Sequence, residues 1–258
     1  MMRGLHTPVR AIRRRVFKEV AQLGFKADED TLLADMEAIP YAIVNEDSEK
    51  YRESVYRARA IVRERLRLAM GLSLRPENKP VHLTAGVEAS NISEKYYEPP
   101  LMQVIPSACE SCEENKYEVS NICKGCLAHP CQEVCPKDAI SMVNGRSYID
   151  QEKCIKCGKC KSVCPYDAIA KKERPCQKAC GVNAIKSDKM GRAYIDNEKC
   201  VSCGMCMVSC PFGAISDKSQ IFQLARALSE GENVIAEIAP AFVGQFGDNI
   251  TPRNIKAA

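Results

Sequence analysis

The sixteen cysteines of this 258-residue chain, and above all their spacing, are its chemically most informative residues. Two runs have the pattern C-x-x-C-x-x-C-x-x-x-C-P, in which three cysteines bind one 4Fe–4S cluster and the fourth, before proline, binds a second cluster. A thiolate is the soft, anionic ligand that cluster iron requires. One run is Cys154, Cys157, Cys160 and Cys164, and the other is Cys200, Cys203, Cys206 and Cys210.

A third, looser run completes a two-cluster unit with the run that begins at Cys154. Its cysteines are Cys123, Cys126, Cys131 and Cys135, the last again followed by proline. Because the fourth cysteine of each half binds the cluster of the other half, the spacing predicts two ligand sets. They are Cys123, Cys126, Cys131 with Cys164, and Cys154, Cys157, Cys160 with Cys135.

The remaining four cysteines predict a second unit of the same kind around the first. Cys176 and Cys180 have the spacing of a third and a fourth ligand, but the first two ligands are missing locally. The upstream pair Cys109 and Cys112 can supply them. The expected sets are Cys109, Cys112, Cys176 with Cys210, and Cys200, Cys203, Cys206 with Cys180. Gly181 follows Cys180 where the pattern has proline.

An internal repeat supports this nested arrangement. Gly145-Arg-Ser-Tyr-Ile-Asp recurs as Gly191-Arg-Ala-Tyr-Ile-Asp, and Lys153-Cys recurs as Lys199-Cys. We therefore expect two ferredoxin-like units over residues 107–217. The outer unit comprises 107–114 and 174–217, and the inserted unit comprises 115–173.

Three other interpretations of these residues are open. Pairs of Cys-x-x-Cys also bind zinc, and Cys109 with Cys112 is the pair for which zinc competes best. A disulfide framework needs an oxidising compartment, whereas the arginine-rich N-terminus lacks the apolar stretch of a signal peptide, so we expect a cytoplasmic protein. His129 could be a cluster ligand, although a residue beside the cluster is the simpler interpretation where cysteines suffice.

Residues 1–106 are predicted to form a helical region and a linker. Apolar periodicity indicates helices over 12–23, ending at Gly24, over 30–38, ending before Pro40, and over 51–70, ending at Gly71. The proline-containing stretch 72–106 reads as a linker or an extended packing segment.

Residues 218–258 are predicted to begin an α/β domain. An amphipathic helix over 219–228 precedes a short β-type run over 233–239, and Thr251-Pro252 has the signature of a new helix. A strand and a helix with no continuation predict that the chain is a piece of a longer protein; a frayed natural tail is the alternative. The predicted fold class is thus α+β: a helical region, two nested ferredoxin-like units and the start of an α/β domain.

The distribution of basic residues indicates which kinds of molecule the chain could bind. Net charge is only +4, but arginines crowd the start of the chain and the segment from Arg57 to Arg67. Without a nucleic-acid-binding motif, we interpret these arginines as solvated helix faces and expect no nucleic-acid partner. No stretch reaches the length of a membrane span. The lysines beside the cluster cysteines favour an acidic redox partner. They are Lys124, Lys156, Lys159 and Lys161.

The chain resembles the N-terminal part of a monomeric iron-only (FeFe) hydrogenase with two ferredoxin units before its catalytic domain. The resemblance is carried by Cys123-Lys-Gly-Cys126-Leu-Ala-His-Pro-Cys131, Cys176-Gln-Lys-Ala-Cys180-Gly, Cys200-Val-Ser-Cys203-Gly-Met-Cys206, the stretch after Pro211, and Val234-Ile-Ala-Glu-Ile-Ala-Pro-Ala-Phe. It implies an electron relay to an active-site cluster whose cysteine ligands lie beyond this chain, since no cysteine follows Cys210.

The expected cofactors are therefore four 4Fe–4S clusters, and no catalytic residue is assigned. The expected partners are a ferredoxin-like donor or acceptor and a hydrogenase catalytic domain. The alternative is a free-standing polyferredoxin, an electron carrier or a subunit of another redox complex.

Overall fold

A computed structural model describes residues 6–26, 30–45, 52–90, 99–239 and 253–254. Helices and small antiparallel strands make an α+β fold. The helices of the first ninety residues are α1 (Pro8–Lys26), α2 (Leu32–Ile43), α3 (Val55–Ala69) and α4 (Val87–Ser90).

Eight short strands follow in four two-stranded sheets, with short helices between them. The strands are β1 (Met102–Val104), β2 (Lys116–Val119), β3 (Ile140–Val143), β4 (Arg146–Ile149), β5 (Ile169–Lys172), β6 (Ile185–Ser187), β7 (Ala193–Ile195) and β8 (Ile215–Asp217). The helices are α5 (Pro130–Glu133), α6 (Lys159–Ser162), α7 (Pro175–Lys178), α8 (Met205–Ser209) and α9 (Ile221–Ser229).

The sheets are paired in a nested order. β1 pairs with β8, with Met102 opposite Asp217, and encloses all the other strands along the chain. β2 pairs with β5, with Lys116 opposite Lys172, so the two ends of 116–172 lie side by side. The hairpin β3–β4 lies between β2 and β5 in the chain and pairs Ile140 with Ile149. The hairpin β6–β7 lies between β5 and β8 and pairs Ile185 with Ile195.

Each hairpin contributes to a small core of its own. Ile140 and Ile149 are buried with Tyr117, Ile169 and neighbouring cysteines. Ile185 and Ile195 are buried with Met102, Ile215 and another group of cysteines. Apolar burial next to the cysteines keeps water away from the sulfur atoms, while the polar faces of the short strands remain outside.

A third core belongs to the helices. Val16 and Val20 of α1, Met36 of α2 and Leu66 of α3 are buried against Phe222 of α9. The three helices predicted for the first seventy residues are thus confirmed, with different ends. The predicted helix over 219–228 is also confirmed as α9 (Ile221–Ser229), which packs into this core through Phe222.

Three helix boundaries differ from the predictions for local reasons. Gly24 does not end α1, which continues to Lys26; a Cβ on Gly24 would lie 2.8 Å from Ala225 Cβ, so the glycine lets α9 approach closely. Pro40 lies within α2, since the helix continues to Ile43. α3 begins after Ser54, whose side chain accepts a hydrogen bond from the Arg57 N–H and caps the helix.

The strand predicted over 233–239 is wrong. These residues are described, have no strand partner and are exposed, with Ile235 exposed by 93%. An isolated strand leaves its backbone groups unpaired, which explains why none forms here. Of the helix expected from Thr251, only Arg253 and Asn254 are described, and both are helical; the rest lies outside the described residues.

Candidate iron–sulfur cluster sites

The first Cys-x-x-Cys pair of each of the four predicted cluster loops has the same backbone conformation. The residue before the second cysteine is left-handed in each, with φ between 46° and 59°, at Ser111, Gly125, Lys156 and Ser202. This conformation is uncommon outside glycine and folds the loop tightly between the two thiols. The upstream pair Cys109 and Cys112 therefore adopts the loop of the three pairs that belong to complete runs.

The four cysteines predicted to reach across to a second cluster also share a local structure. The thiol of each accepts a hydrogen bond from the N–H of the alanine four residues later, with N···S distances of 3.2 to 3.4 Å. The residue before that alanine is left-handed in each case. The pairs are Cys135 with Ala139, Cys164 with Ala168, Cys180 with Ala184, and Cys210 with Ala214. Gly181 in place of proline thus leaves the geometry at Cys180 unchanged.

The structure brings together the four cysteines that are most widely separated in sequence. Cys109, Cys112, Cys176 and Cys210 line one cavity, whose remaining wall includes Ala193, Phe212 and Ile215. The Cys109 thiol accepts a hydrogen bond from the Ala193 N–H at 3.3 Å. Burial, with a smaller contribution from the nearby Cys210, raises the pKa of Cys176 to about 12. These thiols must lose their protons to bind iron.

A second cavity lies at the corresponding place in the inserted segment. It is lined by Cys135, Cys154, Cys157 and Cys160, together with Ile140 and Ile149 of the hairpin. Cys154 accepts a hydrogen bond from the Lys156 N–H at 3.4 Å. Both cavities therefore offer four thiols and N–H donors in an apolar enclosure, which is the donor set of a 4Fe–4S cluster.

Contacts are also recorded among members of the other two predicted sets. Burial raises the pKa of Cys206 to about 11, and the proximity of Cys200, Cys203 and Cys180 contributes. Cys131 lies 3.3 Å from the Ser147 hydroxyl, and the pKa of Cys123 is lowered chiefly by the N–H of the same Ser147. Cys164 packs against the core that contains Cys131.

Arg174 links the segments that form the cavity of Cys109, Cys112, Cys176 and Cys210. It was not among the residues predicted from the sequence. Its side chain is only 2% exposed. Its guanidinium donates to the Cys112 carbonyl at 2.9 and 3.1 Å and to the Gly191 carbonyl at 2.7 Å. The sequence offered one indication that this position matters. Arg174 stands directly before Pro175-Cys176, and His129 stands directly before Pro130-Cys131 in the repeated unit.

The arginines near α3 hold the same site from its other side, so the interpretation of a solvated helix face is wrong for Arg57 and Arg65, although Arg14 and Arg15 of α1 are exposed. Arg52 donates to the Phe212 carbonyl at 2.7 Å, and Arg57 donates to the Ser107 carbonyl at 2.8 Å. Arg65, which is 2% exposed, donates to the Gly213 carbonyl. A buried guanidinium is stabilised by such carbonyl acceptors, and the helical region thereby fixes the segments on both sides of the cavity.

His129 is placed beside the inserted site. It lies between Cys126 and Cys131, is left-handed at φ 41° and precedes α5. Among the described residues, no group of three or more His, Cys, Asp or Glu side chains is arranged to hold a single metal ion. Nor is any helix described here long and apolar enough to cross a membrane.

Two family models match the cysteine-containing part of the chain. The LdpA Fe-S cluster-binding domain matches residues 123–174, and the 4Fe-4S binding domain matches residues 193–216. The two matches fall on the inserted segment and on the loop of Cys200 with the strand that follows.

The curated relatives are ferredoxins and electron-transport proteins. An uncharacterized ferredoxin of Methanocaldococcus jannaschii is 33% identical over 99 residues, covering 31% of this chain and 63% of that protein. The electron transport protein HydN of Escherichia coli K12 is 37% identical over 71 residues, covering 27% and 41%. Ferredoxin 7Fe of Hydrogenibacillus schlegelii is 43% identical over 53 residues, covering 20% and 68%. The chain spans less than two thirds of the first two.

Proposed function

Because this chain belongs to the ferredoxin family of iron–sulfur proteins, we propose that it relays electrons through four 4Fe–4S clusters in two nested two-cluster units. The observation that carries this proposal is the fourfold recurrence of two local structures. They are the left-handed loop within the first Cys-x-x-Cys pair of each predicted cluster loop and the N–H···S bond at each cross-over cysteine. Four 4Fe–4S clusters need sixteen cysteine ligands, and the two local structures each occur once for every proposed cluster.

The proposed ligand sets follow the cavities and the short contacts. The outer unit binds one cluster through Cys109, Cys112, Cys176 and Cys210, and the other through Cys200, Cys203, Cys206 and Cys180. The inserted unit binds one through Cys123, Cys126, Cys131 and Cys164, and the other through Cys154, Cys157, Cys160 and Cys135. The division of 107–217 into these units is supported by the pairing of β2 with β5 and of β1 with β8.

Each bound cluster supplies one-electron redox chemistry, and the chain positions and tunes it. Apolar side chains such as Ile140 and Ile215 exclude water from the cluster. The loss of solvation disfavours the more negative, reduced cluster and so lowers its reduction potential. Backbone N–H groups and the buried Arg174 act in the opposite direction, because they stabilise negative charge on sulfur. The balance of these effects sets the order in which the clusters accept electrons.

We further propose that the relay serves a catalytic domain of the iron-only hydrogenase type. The specific support is the resemblance of the run that begins at Val234 to the first strand of that domain. Its described residues, 234–239, are exposed, Ile235 by 93%. The curated relatives, which are ferredoxins and electron-transport proteins, favour the alternative of a free electron carrier or a redox-complex subunit. Reading the gene beyond Ala258 separates the two: a domain with further cysteines supports the first, and a stop codon supports the second.

Coulometric reduction of the anaerobically reconstituted protein tests the relay itself. Four one-electron clusters predict an uptake of about four electrons per chain. An uptake of about two would contradict the proposal. The expected compartment is the cytoplasm, where thiols remain reduced for cluster assembly.

A further inference from the structure

The two nested units present corresponding cluster loops to solvent. Cys157 of the inserted unit and Cys203 of the outer unit are the two exposed cysteines. Each follows an exposed apolar residue, Ile155 at 56% and Val201 at 65%. The next residue, Gly158 or Gly204, is left-handed in both loops, with φ of 81° and 73°. An electron-transfer partner can therefore approach a cluster ligand closely at either loop.

The two loops differ sharply in charge. The inserted unit has Lys153, Lys156, Lys159 and Lys161, which we call the lysine face. The outer unit has Lys199, Ser202, Met205 and Met207 at the matching positions. The acidic neighbours do not account for the difference, because Glu152 and Glu198 also match.

The lysine face is available for binding. Lys156, Lys159 and Lys161 are exposed, and none of them forms an ion pair with the residues that the structure describes. Lys153 approaches Asp150 only at 3.9 Å. Other lysines of the chain, by contrast, are neutralised: Lys171 lies 2.6 Å from Glu173, and Lys186 lies 2.8 Å from Asp196.

We propose that the lysine face docks an acidic one-electron carrier protein, so that electrons enter or leave the relay through the cluster at Cys157. This inference rests on the proposed electron-relay function and adds the place and the chemistry of exchange. Unpaired lysines around an exposed ligand attract a carboxylate-bearing partner and speed its association, while Ile155 provides an apolar contact at the centre. The loop at Cys203 has the same shape without this charge.

A charge swap between the corresponding loops tests the proposal. The triple variant K156S/K159M/K161M gives the inserted loop the residues of the outer loop. The probe is a small two-cluster bacterial ferredoxin of strongly negative net charge, reduced and mixed anaerobically with the full-length holoprotein in a stopped-flow instrument. At low ionic strength we expect the second-order rate constant to fall ~10-fold or more, with a weaker dependence on salt. The rate with a neutral small-molecule oxidant should not change.

The control variant K178S/K186S/K189S removes the same charge from the outer unit and should keep most of the native rate. Equal losses in both triple variants would show that net charge matters and that the lysine face does not, and an unchanged rate in the first would also overturn the proposal. If the first variant loses iron, the charge reversal K156E is measured in its place against K186E. Reduction of the clusters by dithionite in every variant separates failure of this inference from failure of the relay function.

Discussion

At the residue scale, the structure explains why unusual residues stand between the cysteines. Asp138, Asp167 and Asn183 occupy the left-handed position before the alanine that donates to a cross-over thiol, and Gly213 occupies it at the fourth site. Asp and Asn tolerate this conformation better than most residues, and glycine adopts it without cost. The residue type at this one position thus allows the backbone N–H of the following alanine to reach the cross-over thiol.

The cross-over ligand Cys180 gives a direct test of the pairing. The variant C180S should damage the cluster of Cys200, Cys203 and Cys206, because serine is a harder and poorer ligand than a thiolate. We expect iron to fall by about a quarter, or the EPR signal of that cluster to shift. The matched variant C135S should instead affect the cluster of Cys154. Loss of the inserted unit's signal in C180S would refute the assignment.

Arg174 should set the reduction potential of the cluster bound by Cys109, Cys112, Cys176 and Cys210. Replacement by methionine removes a buried positive charge, so an EPR-monitored titration should show this potential becoming more negative. Replacement by lysine should restore part of the difference, since it keeps the charge but loses the forked contact with the Cys112 carbonyl.

The surface variant R192M is the control for Arg174. Arg192 lies in the same unit, but its contacts with Glu77 at 2.6 Å and Asp188 at 2.8 Å already neutralise it. We expect all potentials to stay unchanged in R192M. If R174M leaves every potential where it was while iron remains bound, Arg174 has no tuning role.

At the scale of elements, apolar periodicity was sufficient to predict α1, α2, α3 and α9, but not where they pack. Gly24 was taken for a helix end because glycine often stands there, whereas its role is the close contact between α1 and α9. The basic positions of α3 look solvated from sequence because their carbonyl acceptors lie in loops up to 148 residues away, and periodicity contains no information on such contacts.

The docking of α9 against the helical core can be measured with two neighbouring variants. Phe222 is fully buried, so F222A should lower the free energy of unfolding by about 3–5 kcal/mol. Leu224 of the same helix is 46% exposed, and L224A should cost about 1 kcal/mol or less. Anaerobic urea unfolding followed by far-UV circular dichroism provides the comparison. Equal losses would show that α9 is not docked as described.

At the scale of the whole molecule, the cysteine repeat predicts two nested units, and the strand register is compatible with that prediction. Lys116 lies opposite Lys172 in the sheet of β2 and β5, so the two ends of the inserted segment are adjacent. The outer unit can therefore accommodate the segment with little distortion of its own backbone. What could not be predicted is the role of the helical region, whose arginines bind carbonyls close to Cys109 and Cys210 only after the chain has folded.

Removal of the inserted segment should leave a working outer unit. A variant that lacks residues 116–172, closed by a short Gly/Ser linker, should bind two clusters because the ends are adjacent. The complementary piece 117–171 should also bind two, with stability that depends on the clusters. Iron analysis checks both. A deletion variant with a single cluster would show that Cys109 and Cys112 serve another site.

The central claim is that all sixteen cysteines bind iron in four clusters. Its most direct test is the iron and acid-labile sulfide content of the full chain after anaerobic reconstitution, measured together with zinc. Four cubes predict about 16 iron and 16 sulfide per chain, without zinc. A content near half of these values, accompanied by zinc, would contradict the nested assignment and leave Cys109 and Cys112 in a site of another kind.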